Sequence, residues 1–293
     1  MLALIINPVA GNGRSRRALN TIRRELDQRQ IPHQLFETQA ADHATELARE
    51  AISSGADAIA VLGGDGLLSE VSRALMNTDI RLIFIPCGTG NDFVRSLSLP
   101  KNPLKALVQQ LDAPTRRIDC GTINDKAFIN VSGTGLDIDV LIETERSKHL
   151  LNGNMPYFVG LLRAIRLFKP FDAELIIDGA SERGSYTIVS VANGKYFGGG
   201  MKVAPLADLT DGAFDVMIVK VLKKWQLWIL LPLFLPGWHI HLKSIVRRVI
   251  AKDIIINPDE AFTIEIDGEL EVVKSAHYKI QPNGININCE PKK

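Results

Sequence analysis

Asp57-Ala-Ile-Ala-Val-Leu-Gly-Gly-Asp-Gly66 decides how the rest of the chain is read. Ala58 to Leu62 is an apolar run and reads as a buried strand. It breaks into Gly63-Gly64-Asp65-Gly66, and a helical pattern follows from Leu67 to Met76. A strand that ends in glycines and opens a helix is where an α/β protein holds phosphate. The glycines let backbone N–H groups approach oxygens closely, and the helix N-terminus favours negative charge. Asp65 in such a loop repels phosphate unless a cation lies between them, so a divalent metal is implied. The same four residues also suit a βα turn with no chemistry, and alone they do not separate the two readings.

A second loop does. Arg81 to Ile85 is another apolar strand, and it ends in Pro86-Cys-Gly-Thr-Gly-Asn-Asp92. Two such loops on one open parallel sheet converge on one crevice. Outward from them, Leu2 to Ile6 reads as a strand buried on both faces, followed by the turn cluster from Asn7 to Arg14 and a helix from about Ser15 to Gln30. His33 to Glu37 is a short strand with Thr38 at its carboxyl end. Asp42 to Ser54 is an amphipathic helix closed by Gly55, and Asn102 to Leu111 is one more helix. Repeated β-α units mean a doubly wound parallel sheet. Asn7 stands at the mouth of the crevice, where its side chain serves either a ligand or an Asx-turn over Pro8.

Near Pro114 the rhythm changes. Arg117 to Ile123, Lys126 to Val131, Ala173 to Asp178, Tyr186 to Ala192, Phe214 to Val221, Ile245 to Ile256, Phe262 to Ile266 and His277 to Ile280 read as strands with few helices between them. The fold class is therefore α/β: an N-terminal doubly wound domain over 1–118 and a mostly antiparallel, β-sandwich-like domain over 119–293, with a helical insertion from Leu136 to Phe168. The formal net charge of +1 argues against nucleic acid as a partner. Three cysteines without CxxC spacing point to a reducing, cytoplasmic compartment rather than a disulfide framework or zinc site. Met1 to Ile6 lacks a basic flank and reads as a strand, not a secretory signal. Trp225 to Trp238 is apolar but broken by Pro232, Pro236 and Gly237, short of the roughly 20 residues a spanning helix needs. It reads as a core or interface helix, with a membrane-facing edge as the alternative because Lys223, Lys224, Lys243, Arg247 and Arg248 lie near it. His239 and His241 read as structural.

Asn7-Pro8 with Gly11, Gly63-Gly-Asp-Gly66 with Glu70, and Pro86-x-Gly-Thr-Gly-Asn-Asp92 together resemble the catalytic domain of the diacylglycerol kinase family. The resemblance continues through Asn130 to Asp137, Asn193 with Gly198 to Pro205, Asp208 to Asp215, and Asp267-Gly-Glu269. It implies an ATP- and Mg²⁺-dependent transfer of the γ-phosphoryl group to a lipid hydroxyl, with the final strand returning to the first domain. It implies nucleotide contacts at Asn7, Thr38, Gly63, Gly64, Asp65, Gly66, Leu67, Ser69, Gly88, Thr89, Asn91 and Asp92. It implies catalysis by Glu269 as base with Asp267 in support and Asp65 on the metal side, and a structural magnesium ion at Asp208, Asp211 and the Ala213 carbonyl, a hard oxygen set. Alone, Asp267-Gly-Glu269 reads as a common hairpin turn; on extended chain, residues i and i+2 point the same way, so Asp267 and Glu269 would face one site. The expected partner is a lipid substrate met peripherally at the inner face of a membrane; a homodimer is left open.

Two residues depart from the family pattern. Leu67 stands where threonine is usual, and Ser69 where asparagine is usual. A lost charge-assisted hydrogen bond, about 1.5–3 kcal/mol, would slow turnover about ten- to a hundredfold. Two other readings follow: a kinase of a soluble acceptor such as NAD, whose family shares the Gly-Gly-Asp-Gly loop, and a non-catalytic nucleotide or lipid sensor.

Overall fold

Apolar strands without polar alternation need cover on both faces, and the first half of the chain supplies it. The computed structural model describes residues 1–148 and 155–289. Its first half runs β1 (Leu2–Ile6), α1 (Ala10–Gln28), β2 (His33–Glu37), α2 (His43–Ser53), β3 (Ala58–Gly63), α3 (Asp65–Leu75), β4 (Arg81–Pro86), α4 (Asp92–Ser96) and α5 (Pro103–Asp112). The strands are parallel in the order β2-β1-β3-β4. Alternate residues go to opposite faces. Ala3, Ile5, Ile59, Val61 and Phe84 pack with α2 and α3; Leu4, Ile6, Ala60, Leu62 and Ile85 pack with α1 and α5. Strand order reverses between β1 and β3, which places the switch-point crevice at Asn7 and Gly63.

The second half runs β5 (Thr115–Ile123), β6 (Lys126–Phe128), β7 (Val131–Gly135), α6 (Leu136–Lys148), α7 (Met155–Leu167), β8 (Phe171–Ile177), β9 (Ala180–Ala192), β10 (Phe214–Lys220), α8 (Lys224–Phe234), β11 (Val246–Ala251), β12 (Asp253–Pro258), β13 (Phe262–Ile266), β14 (Glu269–Val273) and β15 (Ala276–Asn288). Every pairing within it is antiparallel. One core lies between the strands, centred on Phe128, Phe214 and Tyr278. A second lies between the strands and α6, α7 and α8. Cys87, Cys120 and Cys289 are free thiols. No helix among the described residues is long and apolar enough to cross a membrane.

Several elements differ from the sequence pattern. The apolar run from Ile245 to Ile256 is two strands, β11 and β12, on either side of Lys252. The helical insertion is two helices, and residues 149–154 between them lie outside the described residues. The strand expected over His277 to Ile280 continues to Asn288. Pro282-Asn283-Gly284 reads as a turn, but it is a register shift within β15. Beyond it Asn286 and Ile287 pair in parallel with Arg81 and Leu82 of β4.

Ile287 is fully buried in the core of the first sheet, paired with Leu82, 205 residues before it in sequence (287 − 82). Ile287→Ala should destabilise the protein by about 2–5 kcal/mol, the cost of truncating a buried isoleucine. Chemical denaturation followed by circular dichroism reads the shift; a loss below about 0.5 kcal/mol would show that this end of β15 is not part of that core.

Candidate active site

Gly63 to Gly66 and Gly88 to Asp92 form one structure. A Cβ on Gly88 would lie 2.5 Å from the Gly64 Cα, so the two backbones touch where no side chain fits. The Gly63 carbonyl accepts the N–H groups of Cys87 (2.7 Å) and Gly88 (3.0 Å). A third turn joins them: a Cβ on Gly11 would meet the Cys87 carbonyl oxygen at 1.9 Å, and Gly11, Asn12 and Gly13 all have positive φ. Arg14 Nη1 donates to the Gly88 carbonyl at 3.4 Å. The carboxyl ends of β1, β3 and β4 thus meet in a backbone-lined cradle at the N-terminus of α3, a geometry suited to phosphate.

The carboxylates there hold the cradle together. Asp65 accepts the N–H groups of Asp92 (3.1 Å) and Phe93 (3.2 Å), closing the first turn of α4. Burial raises its pKa, and those amides offset part of the rise. Asp92 Oδ2 accepts the Gly199 N–H at 2.7 Å, joining the cradle to the glycine-rich segment of the second half. Burial raises this pKa too. Asn91, at φ 50, donates to the Gly88 carbonyl at 2.7 Å. Thr89 is exposed at the loop's tip. Asn7 Oδ1 accepts the Val9 N–H at 3.1 Å, which is the Asx-turn. Thr38 lies at the end of β2, its N–H bonded to the Ile6 carbonyl at 2.9 Å. The Leu67 side chain is buried in the core and folds back over Gly63. Its contribution to the crevice is therefore a backbone N–H. Ser69 is fully buried, and its hydroxyl has no hydrogen-bond partner among the described residues.

Asp267 and Glu269 do not lie on extended chain. Asp267 (φ 49) and Gly268 (φ 98) are the two-residue turn between β13 and β14, so the expected i, i+2 alignment does not apply. The turn sends the two carboxylates to different partners. Asp267 is buried and accepts the N–H groups of Ile129, Asn130 and Val131 at 2.9, 2.9 and 3.2 Å. Burial still pushes its pKa up to about 6. Glu269 is half-exposed and takes Arg73 of α3 at 2.6 Å. Arg73 also donates to Asp42 at 3.1 Å. Asp42, Glu70 and Glu269 bring carboxylate oxygens within 4.8 Å of one another, with Glu70 capping α2 through the Ala44 N–H. Along α3, Ser69 and Arg73 lie one and two turns from Asp65, about 6 and 12 Å down the axis.

Beside the cradle is a cavity of about 410 Å³. Val140, Leu141, Leu161, Phe197, Leu231 and Phe234 give it apolar walls, while Thr89, Gly90 and Gly268 close the end toward the cradle. Asp137 and Glu265 also line it. Burial pushes Asp137 up to about 7 and raises Glu265 well above the usual carboxylate range.

The acidic turn stands apart. Asp211 Oδ1 accepts the Ala213 N–H at 3.1 Å, Asp208 Oδ1 accepts from Thr210, and Asp119 accepts from Gly212 and Asn283. Burial, then the charges of Asp208, Asp215 and Asp119, raise the Asp211 pKa. A group held against its neighbours' negative charge is one that a cation would relieve, so hard oxygens and surplus charge here fit Mg²⁺.

Residues 1–123 match the diacylglycerol kinase catalytic domain, and residues 130–289 match the YegS C-terminal NAD kinase beta sandwich-like domain. The chain belongs to the diacylglycerol kinase family. A diacylglycerol kinase of Mycobacterium tuberculosis is 30% identical over 291 residues, covering 95% of this chain and 94% of that protein. One from Bacillus subtilis is 30% identical over 269 residues, 91% of this chain and 88% of that one. A crystal structure of a diacylglycerol kinase from Bacillus anthracis superposes with a TM-score of 0.81 at 26% identity, over 99% of this chain and 97% of that one.

Within this kinase fold, sequence reasoning passed over Arg73, Asp42 and the capping role of Glu70. Arg73 carried one signal: a lone cation four residues after Ser69, on the same helix face. Two outcomes test the site. Gly88→Ala should cost about 1–3 kcal/mol of stability, because the clash is with backbone that cannot rotate away; a melting temperature equal to wild type would refute the close contact. Asp137→Asn should flatten the pH dependence of stability. In the folded protein Asp137 keeps its proton up to about pH 7, whereas the unfolded chain releases it near 3.8. The native state binds more protons in that window, so wild-type stability falls as pH rises through it. The variant should therefore melt higher than wild type at pH 8, by roughly 5–10 °C, and at the same temperature at pH 4, as read by thermal melts.

Proposed function

We propose that this chain transfers the γ-phosphoryl group of ATP to the hydroxyl of a lipid, diacylglycerol-like or phosphatidylglycerol-like. The observation that carries the reading is the cavity: its walls suit acyl chain, and its inner end is Thr89, Gly90 and Gly268, where the phosphate cradle meets the catalytic hairpin. Backbone N–H groups of Gly64 to Leu67 and of Thr89 hold the nucleotide phosphates. Magnesium, when bound, screens the charge of those phosphates. Glu269 takes the proton of the acceptor hydroxyl as the oxygen attacks. Asp267, fixed by three amides, holds the hairpin in place. Arg73 holds the Glu269 carboxylate at the crevice before substrate enters. Asp208, Asp211 and the Ala213 carbonyl hold a second, structural magnesium ion. A soluble acceptor such as NAD has no use for these apolar walls, which favours the lipid reading.

Incubation with radiolabelled ATP, magnesium and a mixed lipid extract tests it. A labelled product in the organic phase is expected. Label in an aqueous acceptor would support the soluble-acceptor kinase, and nucleotide binding without any product would support a sensor. Glu269→Gln should lower kcat by about 10²–10⁴-fold while leaving ATP affinity, read by calorimetry, roughly unchanged. An active Glu269→Gln protein would move the base elsewhere.

A further inference from the structure

We propose that α8 and the turn after it form a face that seats on an anionic lipid bilayer, beside the mouth of the acceptor cavity. The inference deepens the lipid-kinase reading and rests on it for the cavity's role. Lys224-Trp-Gln-Leu-Trp-Ile-Leu-Leu-Pro-Leu-Phe234 is apolar around nearly its whole circumference. One side is accounted for: Leu227, Leu230 and Phe234 are buried in the core, and Leu231 and Phe234 line the cavity. The other side faces outward, with Trp225 60%, Trp228 43% and Ile229 57% exposed. Leu235 and Trp238, 61% and 63% exposed, extend the patch past the helix end. The expectation of a core or interface helix thus holds for one side only. A helix apolar all round needs a second apolar medium. At 11 residues, about 16 Å, it cannot span a hydrocarbon core of about 30 Å, so it lies along the surface.

Charge selects the medium. Between Asp215 and Asp253 the chain has no acidic residue and seven basic ones: Lys220, Lys223, Lys224, Lys243, Arg247, Arg248 and Lys252. The whole chain is only +1. Arg247 and Arg248 are engaged by Glu182 and Asp215, whereas Lys223, Lys224 and Lys243 are exposed around the tryptophans. Exposed Arg166 joins them, since its carbonyl accepts from Lys224 Nζ. Tryptophan at headgroup depth with lysine around it is the composition of an anionic membrane interface. A second copy of the chain fits less well: a two-fold contact on this patch sets the lysine rims against each other, and like charges oppose it. On the bilayer, an acyl chain could pass from the membrane along Leu231 and Phe234 into the cavity without crossing water.

The test uses the full chain and vesicles of phosphatidylcholine alone or mixed with phosphatidylglycerol, with co-sedimentation and tryptophan emission as readouts. Binding to the mixed vesicles, weakened by salt and accompanied by a blue shift, is expected. Trp225→Ala/Trp228→Ala should lose at least about tenfold in partitioning, and Lys223→Glu/Lys224→Glu about tenfold or more, since each basic residue near an anionic surface is worth about fivefold. Both variants should keep the wild-type melting temperature and phosphorylate a short-chain acceptor dissolved in water at the wild-type rate. The charge-reversal variant changes only exposed side chains, so it reads the surface even if the tryptophan variant folds poorly. No binding to mixed vesicles, equal binding by the charge-reversal variant, or a wild-type dimer in sedimentation velocity that Trp225→Ala/Trp228→Ala dissociates would overturn the proposal. Vesicle binding needs neither ATP nor turnover. Binding without any phosphorylated product would therefore refute the kinase reading and leave this face standing.

Discussion

The backbone of Gly64 lies against the backbone of Gly88, closer than any side chain would allow. That contact draws the carboxyl ends of two neighbouring strands into one cradle, and the rest of the site is hung from it. With the backbones this close, Asp65 is near enough to accept the N–H groups of Asp92 and Phe93. Asp92 is then placed to take Gly199 from the far half of the chain. The carboxylates cost desolvation, visible as their raised pKa values. Each backbone N–H they accept offsets part of that cost while fixing a loop. A cradle of main-chain donors needs such fixing, because glycine has the most conformational freedom to lose.

The hairpin that faces the cradle follows the same logic. Asp267 occupies a left-handed turn position, buried, with three amides directed at one carboxylate. That arrangement leaves Asp267 little freedom to move a proton in a reaction. It gives the β13–β14 turn a fixed position against β7. Glu269 carries the opposite properties: half-exposed, held by a single ion pair to Arg73, and adjoined by Asp42 and Glu70. An ion pair at that exposure is worth at most about 1 kcal/mol, so it can yield to substrate. Of two acids two residues apart, one is suited to structure and the other to chemistry.

Much of this was legible in the sequence because it depends on short-range patterns. The apolar runs of β1, β3 and β4 announce strands covered on both faces, and glycines after β3 and β4 announce the cradle. The departures have local physical causes. Pro282-Asn283-Gly284 has turn composition, yet β15 absorbs it as a register shift and goes on to pair with β4; only long-range pairing shows that. The alignment of Asp267 with Glu269 assumed extended chain at a place where Asp-Gly makes a turn. The carboxylates that cap α2 and α4, Glu70 and Asp65, both belong to α3, so no local capping pattern announces them. Leu67, a departure from the family pattern in sequence, is in space a core residue beneath Gly63.

Helix α8 marks the limit of periodicity as a guide. A helix with apolar residues on every side gives no preferred face, so the pattern cannot say whether the surroundings are protein or lipid. Coordinates divide its surface: Leu227 and Leu230 against the strands, Leu231 and Phe234 along the cavity, Trp225, Trp228 and Ile229 outward. One helix therefore forms both a wall of the cavity and the outer apolar face. Pro232 lies between Leu231 and Phe234 and has no backbone N–H to donate within the helix. The same helix thus has one side in the wall of the cavity and the other on the outer apolar face.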